Sequence, residues 1–269
     1  RALRNADCLN ELRLNRRLAP DVYLGVAPVV IGDDTVSIGA PRETLTDPAL
    51  EHVVVMRRLP EGRDLLALLK ADAVPEGAIP AIARRLARFH RENGLGRPSP
   101  FSAEEWRARC TRPALDCLPV LEESGLFEPA RLEAIRAQLT ARFEALAPAL
   151  EARRVEGRAV DGHGDLHLDH VWFETDESSP LLIDCLEFDP GLRQIDPASE
   201  LAFLTMDLRY RERPTLAEWL LATYALETDD YGLFPLVDVF AAYRALVRAK
   251  VAALATAQPS IEATQRKRA

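Results

Sequence analysis

The chain has 269 residues, of which 48% are hydrophobic and 28% charged, proportions typical of a soluble globular protein with a sizeable core. Its net charge of -8 at pH 7 argues against a nucleic-acid-binding protein, because phosphate recognition needs a basic face. No apolar run approaches the ~20 residues of a membrane span, and no basic-then-apolar leader opens the chain, so we expect a soluble, cytoplasmic protein without membrane contact.

The start of the chain and its cysteines add two expectations. The sequence begins at Arg1 and its first methionine is Met56, which favours a segment excised from a longer protein. The four cysteines form no Cys-x-x-Cys pair, and Cys110 and Cys117 stand seven positions apart on an apparent helix. We therefore predict reduced thiols and no disulfide framework.

Residues 1–60 predict a helix followed by three antiparallel strands. The first eighteen residues contain neither Gly nor Pro and favour a helix that ends before Pro20. The Val-rich stretch 22–31 predicts a strand, in which Pro28 favours an edge or a bulge over a central position. Residues 35–38 predict the return strand of a hairpin, and the apolar run 53–56 predicts a buried strand.

Beyond Gly62 the pattern becomes mainly helical. Ser102 with Glu105 matches a capping box and predicts a helix start. Apolar residues spaced by three and four positions indicate helices at 79–89, 132–150 and 240–254. Short apolar segments that predict strands interrupt this half at 159–160, 171–173 and 181–183.

Residues 161–170 hold the densest group of polar side chains in the chain. They read Asp-Gly-His-Gly-Asp-Leu-His-Leu-Asp-His and contain three of the five histidines and three carboxylates, between two predicted strands. Asp184 ends a further predicted strand, nineteen positions after Asp165. Loops at strand ends are where rigid scaffolds present catalytic groups, so we expect the functional site here.

The pattern His-Gly-Asp-x-His at 163–167, followed by an apolar strand and Ile183-Asp184, resembles the catalytic segment of the aminoglycoside phosphotransferase family. That family shares the kinase-like fold with choline kinases and protein kinases. Four further segments are similar to the family, namely its small-lobe helix and following strand at 15–25, its last small-lobe strand and hinge at 53–59, a Leu-Ala-x-Leu-His helix end at 86–90 and a helix start at 196–202. The first of these is most similar to an uncharacterised branch that is sometimes fused to a P-loop ATPase-like domain.

The resemblance implies an α+β, kinase-like two-lobed fold. Residues 1–60 would form a truncated small β lobe whose first strands are missing, and residues 61–269 a mainly helical large lobe with the catalytic loop. The implied activity is transfer of the γ-phosphate of ATP to a hydroxyl of a small molecule such as an amino sugar, a sugar or an alcohol. The implied metal is Mg²⁺, with Mn²⁺ as the alternative.

The resemblance also implies roles for individual residues. Asp165 would position the acceptor hydroxyl and take its proton, and Asp184 would bind the metal that bridges the phosphates. The hinge residues Met56, Arg57, Arg58 and Leu59 would bind the nucleotide. Supporting roles fall to four further residues, namely Glu11, His163, His167 and Asp196.

Two departures from the family pattern concern the metal and the phosphates. Five positions after the base the family has a metal-binding Asn, whereas this chain has His170, which we expect to be a metal ligand or a loop support. Kinases also hold the phosphates with a Gly-rich loop and a lysine paired to a helix Glu, here Glu11. No lysine precedes Lys70 and no glycine precedes Gly25, so this segment alone should bind ATP weakly and turn over poorly.

Two other functions compete with the phosphotransferase. The departures favour a noncatalytic nucleotide-binding or regulatory module that serves a fused or partner P-loop domain. A metallohydrolase is the third class, because Asp165-x-His167-x-Asp169-His170 differs by one residue from the signature His-x-His-x-Asp-His. That fold needs further histidines downstream, and His170 is the last histidine in the chain.

Overall fold

The computed structural model describes residues 1–32 and 35–256, so the turn expected at 32–34 lies partly outside the described residues. The α-helices are α1 Ala2–Asn15, α2 Leu65–Lys70, α3 Ala78–Glu92, α4 Ala103–Leu115, α5 Cys117–Glu123, α6 Pro129–Glu156, α7 Pro190–Arg193, α8 Pro197–Tyr210, α9 Pro214–Thr228 and α10 Phe234–Thr256. The strands are β1 Tyr23–Ile31, β2 Val36–Ile38, β3 Glu51–Met56, β4 Val160–Asp161, β5 Val171–Trp172, β6 Leu181–Leu182 and β7 Gln194–Ile195. The α+β prediction is therefore confirmed.

The first elements are the predicted helix and antiparallel sheet. The sheet order is β2-β1-β3, and Val29 of β1 pairs with Ile38 on one side and with Glu51 on the other. Asn5 fixes α1 to β3, because its amide donates to the Leu50 carbonyl at 3.0 Å and its side-chain oxygen accepts from the His52 N–H at 3.1 Å. Helix α1 is thus hydrogen-bonded to the start of strand β3 and packs against the sheet.

The prediction that Pro28 marks an edge strand or a bulge is wrong, because β1 is the central strand. The irregular register in β1 lies between Tyr23 and Gly25. The Pro28 carbonyl accepts from the Gly39 N–H at 2.9 Å, so the missing N–H of Pro28 faces the same side of the strand. On that side β2 ends at Ile38, so Pro28 lies at the end of the β1–β2 pairing, where a missing N–H does not interrupt the ladder.

The helix boundaries have local causes that the sequence shows. At the start of α4, Ser102 Oγ accepts from the Glu105 N–H at 3.2 Å and Glu105 accepts from the Ser102 N–H at 2.8 Å, which is the predicted capping box. The end of α6 is set by Gly157 at φ 75°, where an added Cβ would lie 2.5 Å from the Gly96 carbonyl oxygen. Only glycine fits that helix end.

The chain divides into two compact units by its contacts. Unit 1 consists of Arg1–Glu92 and His163–Arg193. It therefore contains both the His-Gly-Asp-x-His loop and the strand end with Asp184. Its core is built by α1, β1 and the segment between them, and Leu181 and Ile183 from around β6 pack against that core. The central buried residues are Leu12, Ala19, Val22, Tyr23 and Val26.

Unit 2 consists of Asn93–Gly162 and the described residues from Gln194 onward, and it is mainly helical. Within it α10 packs on α8, α8 packs on α9 and α4 packs on α6. The ring centroids of Phe143 and Phe240 lie 6.1 Å apart, which joins α6 to α10. None of the helices in the described residues is both long enough and apolar enough to cross a membrane.

Candidate active site

The polar loop between His163 and β5 lies in unit 1 and folds back on the segment that follows β6. Gly164 adopts φ 87°, and an added Cβ there would lie 3.2 Å from both the Leu186 Cβ and the Leu192 carbonyl oxygen. The glycine of the His-Gly-Asp pattern is therefore required by backbone conformation and by the close approach of the neighbouring chain.

His163 joins the loop to the strand end that carries Asp184. Its side chain is fully buried, and its Nε2 donates to the Ile183 carbonyl oxygen at 2.7 Å. Because Nε2 carries the proton, Nδ1 is an acceptor and takes the Asp165 N–H at 3.3 Å. The backbone of His163 also accepts the Leu186 N–H at 3.0 Å. These contacts hold the backbone at Asp165 close to the residues on both sides of Asp184.

His170 lies between the two carboxylates. Its Nδ1 donates to the Asp165 carbonyl oxygen at 2.8 Å and lies 4.0 Å from Asp165 Oδ2, while its Nε2 lies 3.1 Å from Asp184 Oδ2. Burial disfavours the charged ring, but the hydrogen bond and charge of Asp184 outweigh that effect, so the pKa of His170 is raised. The same hydrogen bond lowers the pKa of Asp184.

His167 completes a compact cluster with His170 and Asp165. The two imidazole centroids are 3.7 Å apart, and His167 Nε2 lies 3.9 Å from Asp165 Oδ2. On its other side, His167 Nδ1 lies 3.4 Å from Asp169 Oδ2. One ligand atom from each of Asp165, His167 and His170 can be chosen so that all three lie within 4.8 Å of one another.

Asp184 has a strained backbone that two residues from the first elements support. Its φ is 63°, a left-handed conformation that few non-glycine residues adopt. The Asp184 N–H donates to the Tyr23 hydroxyl at 3.0 Å, and the Cys185 N–H donates to the Asn15 side-chain oxygen at 2.7 Å. The sequence gives no indication of these two contacts, since Tyr23 and Asn15 lie 161 and 170 positions from their partners.

Glu11, the predicted helix Glu, lies among negative charges. Burial, together with the charges of Glu187 and Asp184, raises the pKa of Glu11 from 4.5 to about 7. On α1 its backbone carbonyl accepts from the Asn15 amide at 3.0 Å, so it belongs to the helix that supports the turn after β6. The negative charge of Asp184 thus makes ionisation of Glu11 less favourable.

The predicted hinge follows β3 in unit 1. Met56 ends the strand, the Arg57 N–H donates to the Val22 carbonyl at 2.8 Å, and Leu59 packs against the core of unit 1. The two guanidinium groups are already engaged: Arg57 contacts Glu174 at 2.5 Å and Arg58 contacts Glu61 at 2.5 Å.

Asp196 belongs to unit 2 and forms part of a buried ionic cluster. It caps α8, the helix whose start the family resemblance implies at 196–202, by accepting the Ala198 N–H at 2.9 Å. It also forms two hydrogen bonds with Arg153, at 2.6 and 2.8 Å, and Arg153 contacts Asp230 at 2.6 and 2.8 Å. These contacts give Asp196 a role in the packing of unit 2.

The residues near Asp184 match magnesium only in part. Mg²⁺ prefers six oxygen ligands in octahedral geometry and keeps several waters. The Asp165 and Asp184 carboxylates supply such oxygens, and their side chains are 37% and 63% exposed, so water and phosphates can reach them. The imidazole of His170 between them is a nitrogen donor, which magnesium disfavours. Asp184, together with waters and phosphate oxygens, would hold Mg²⁺, and His170 does not fit it.

Two solved structures of glucosamine kinase are similar to this chain at low identity. Crystal form A is 16% identical with a TM-score of 0.46, over 77% of this chain and 58% of that chain. The complex with glucosamine, ADP and inorganic phosphate is 16% identical with a TM-score of 0.42, over 82% of this chain and 57% of that chain.

Sequence comparisons give the family. Uncharacterised proteins of Mycobacterium tuberculosis and Mycobacterium bovis are each 34% identical to this chain over 97% of its length. The chain spans about half the length of these curated relatives, 49%. The model of the family described as "Phosphotransferase enzyme family" matches residues 2–233, from α1 to the turn before α10. Because this match covers most of the chain, the chain belongs to the phosphotransferase enzyme family.

Proposed function

We propose that this protein transfers the γ-phosphate of ATP to a hydroxyl group of a small molecule, an amino sugar, a sugar or an alcohol. The observation that carries the proposal is the position of Asp165 and Asp184 on either side of one imidazole, with Asp184 Oδ2 3.1 Å and Asp165 Oδ2 4.0 Å from the His170 nitrogens. Phosphoryl transfer needs one carboxylate for the acceptor and one for the metal, and Asp165 and Asp184, which both lie next to His170, can supply them.

Asp165 has the properties of a base for the acceptor hydroxyl. Its carboxylate is partly exposed, while its backbone is held on both sides: its N–H donates to His163 Nδ1 and its carbonyl oxygen accepts from His170 Nδ1. As the acceptor oxygen attacks the γ-phosphorus, its proton passes to an Asp165 carboxylate oxygen, and the bond from phosphorus to the β-phosphate oxygen breaks to release ADP. Mg²⁺, when bound, neutralises charge on the phosphates.

ADP release with a panel of acceptors tests the proposal. The purified protein is incubated with ATP, Mg²⁺ and individual amino sugars, sugars and polyols, and the phosphorylated product is identified by mass spectrometry. Asp165→Asn should lower turnover by at least ~100-fold, the scale expected for loss of a general base.

Asp47→Asn is the matched control for that variant, because Asp47 lies on an exposed loop of the same unit and an Asn oxygen can still accept the Ala49 N–H. It should retain the activity of the unchanged protein. Equal turnover of the Asp165→Asn variant would exclude Asp165 as the base.

His170 also favours a second candidate, a noncatalytic nucleotide-binding module. Its ring lies against Asp184 Oδ2 at 3.1 Å, where the resembled family has a metal-binding Asn. In that case the protein binds ATP, through the backbone of Met56–Leu59, but releases no ADP with any acceptor. Calorimetric ATP titration beside the ADP assay distinguishes a module that only binds from an enzyme.

The relatives' length supports a proposal about the partner. The chain matches 49% of each curated relative, and its segment 15–25 resembles a branch that is sometimes fused to a P-loop ATPase-like domain. We therefore propose that a P-loop domain, fused or separate, works with this phosphotransferase in the cytoplasm. Co-purification of the tagged protein with its domain partner from the native cytoplasm, and ADP release with and without it, test this. Unchanged activity and no association would contradict it.

A further inference from the structure

We infer that Asp165, His167 and His170 form a binding site for a zinc-class divalent cation, distinct in chemistry from the magnesium that accompanies ATP. The three residues offer one carboxylate oxygen and two imidazole nitrogens, and one ligand atom of each lies within 4.8 Å of the others. Two imidazoles with one carboxylate are a recurrent ligand set for Zn²⁺, and imidazole also suits Ni²⁺ and Co²⁺.

The separation between the Asp165 and His167 donor atoms is close to that of a tetrahedral site. Ligand bonds of ~2.0–2.2 Å place neighbouring tetrahedral ligands roughly 3.3–3.6 Å apart. Asp165 Oδ2 lies 3.9 Å from His167 Nε2, within a few tenths of an ångström of that separation. His170 Nδ1 donates to the Asp165 carbonyl oxygen, so Nε2 is the ligand atom that His170 offers. Asp184 Oδ2, 3.1 Å from His170 Nε2, is placed beside this set to become a further ligand.

The surroundings orient these side chains as in established metal sites. Metal-binding histidines are held by a carboxylate or a backbone carbonyl on the ring nitrogen that does not bind the metal. Asp169 Oδ2 lies 3.4 Å from His167 Nδ1, which leaves His167 Nε2 directed at Asp165. His170 is held by the Asp165 carbonyl oxygen at 2.8 Å. The His167 and His170 side chains are 8% and 13% exposed, which limits competition from water.

Zinc at this site would also affect phosphotransfer, an effect that rests on the proposed function. A zinc ion bound to the Asp165 carboxylate occupies the oxygen that would take the acceptor proton. Zinc should therefore inhibit phosphotransfer even when Mg²⁺ and ATP are saturating. The binding site itself does not depend on the activity of the protein.

Zinc binding is measured first without nucleotide or acceptor. The purified protein is titrated with Zn²⁺ in competition with a chromophoric chelator, with Mg²⁺ alone in parallel, and Co²⁺ is added as a probe whose visible absorption reports tetrahedral coordination. Zinc should bind one per chain and at least about 100-fold more tightly than magnesium, because imidazole donors suit zinc and disfavour magnesium.

Three variants locate the zinc. His167→Gln, His170→Gln and Asp165→Asn should each weaken zinc binding at least ~10-fold, since loss of an outer-shell partner alone typically costs about 10- to 100-fold. His52→Gln removes a buried histidine of β3 and should leave zinc affinity unchanged. Circular dichroism confirms that each variant is folded.

Each result either supports or overturns the inference. Zinc affinity equal to that of magnesium, or equal zinc affinity in all four variants, would overturn the site and place any bound zinc elsewhere, for example on a cysteine. Site-dependent binding without phosphotransfer to any acceptor would leave the zinc site standing and contradict the proposed function. Phosphotransfer that zinc inhibits only where His167 is present would support both.

Discussion

At the scale of single residues, Glu11 shows what burial and like charges do to one carboxyl group. The pKa of Glu11 is raised from 4.5 to about 7 by burial and by the charges of Glu187 and Asp184. A carboxyl group with a raised pKa in the folded state stabilises the protein fully only below its unfolded pKa of 4.5, and this contribution is lost as pH rises toward about 7. The ionised form of Glu11 therefore destabilises the fold at pH 8.

Replacing that charge should stabilise the protein in a pH-dependent way. We expect Glu11→Gln to raise the free energy of unfolding by on the order of 1 kcal/mol more at pH 8 than at pH 4.5, after allowance for solvent screening of a partly exposed group. Thermal or urea unfolding at the two pH values measures this. Glu76→Gln, on an exposed loop of the same unit, is the control and should show no such difference.

At the scale of elements, α1 and β1 reach the turn after β6 through Asn15 and Tyr23. The Tyr23 hydroxyl accepts the Asp184 N–H, and this bond supports a backbone with φ 63°, a conformation that costs about 1–3 kcal/mol unless its surroundings hold it. Tyr23→Phe should lower the free energy of unfolding by about 1–2 kcal/mol, because it leaves a donor without that acceptor.

The same variant should also raise the Mg²⁺ concentration needed for half-maximal activity, while a merely structural role would change stability alone. Tyr210→Phe is a suitable control, since the Tyr210 ring is 79% exposed. An unchanged magnesium requirement in the Tyr23→Phe variant would show that this turn does not position Asp184 for the metal.

In unit 2 a buried ionic cluster joins α6 to the start of α8 and to the loop after α9. Arg153 of α6 is buried between Asp196 at the start of α8 and Asp230, with side-chain exposures of 3% or less for all three. Arg153→Met should destabilise the protein by about 3–5 kcal/mol, because two buried carboxylates lose the guanidinium group that lies between them. Urea unfolding measures the loss. Arg107→Met, on the exposed face of α4, should change the free energy of unfolding by less than about 0.5 kcal/mol.

At the scale of the whole molecule, local patterns in the sequence predict elements but not the partners that meet at long range. Period-3.6 spacing predicts α3, α6 and α10, and the His-Gly-Asp pattern places Asp165 and Asp184 in one site through resemblance. Pro28 is misread, because its effect depends on where a neighbouring strand ends. Tyr23 is missed for a similar reason. A tyrosine in a predicted strand gives no indication that its hydroxyl accepts the N–H of Asp184, a residue 161 positions away.

The path of the chain also shapes folding at this scale. The chain passes between the units at 92–93, 162–163 and 193–194. Within unit 2 the residues next to these points are hydrogen-bonded neighbours, since the Asp161 N–H donates to the Asn93 carbonyl at 2.9 Å and Asp161 pairs with Gln194. The ends of the two segments of unit 1 are thus close enough for a short linker to join Glu92 to His163.

A fragment pair tests whether unit 1 needs both of its segments. Residues 1–92 alone lose Leu181 and Ile183 from the hydrophobic core and lose the backbone groups that bind Tyr23 and Asn15. We expect this fragment to lack a cooperative urea transition, because buried polar groups without partners and exposed apolar surface both favour the unfolded chain. The same residues joined through a short Gly/Ser linker to 163–193 should regain a cooperative transition by circular dichroism. A fragment 1–92 that unfolds cooperatively at the same urea midpoint would show that the catalytic segment adds nothing to the stability of unit 1.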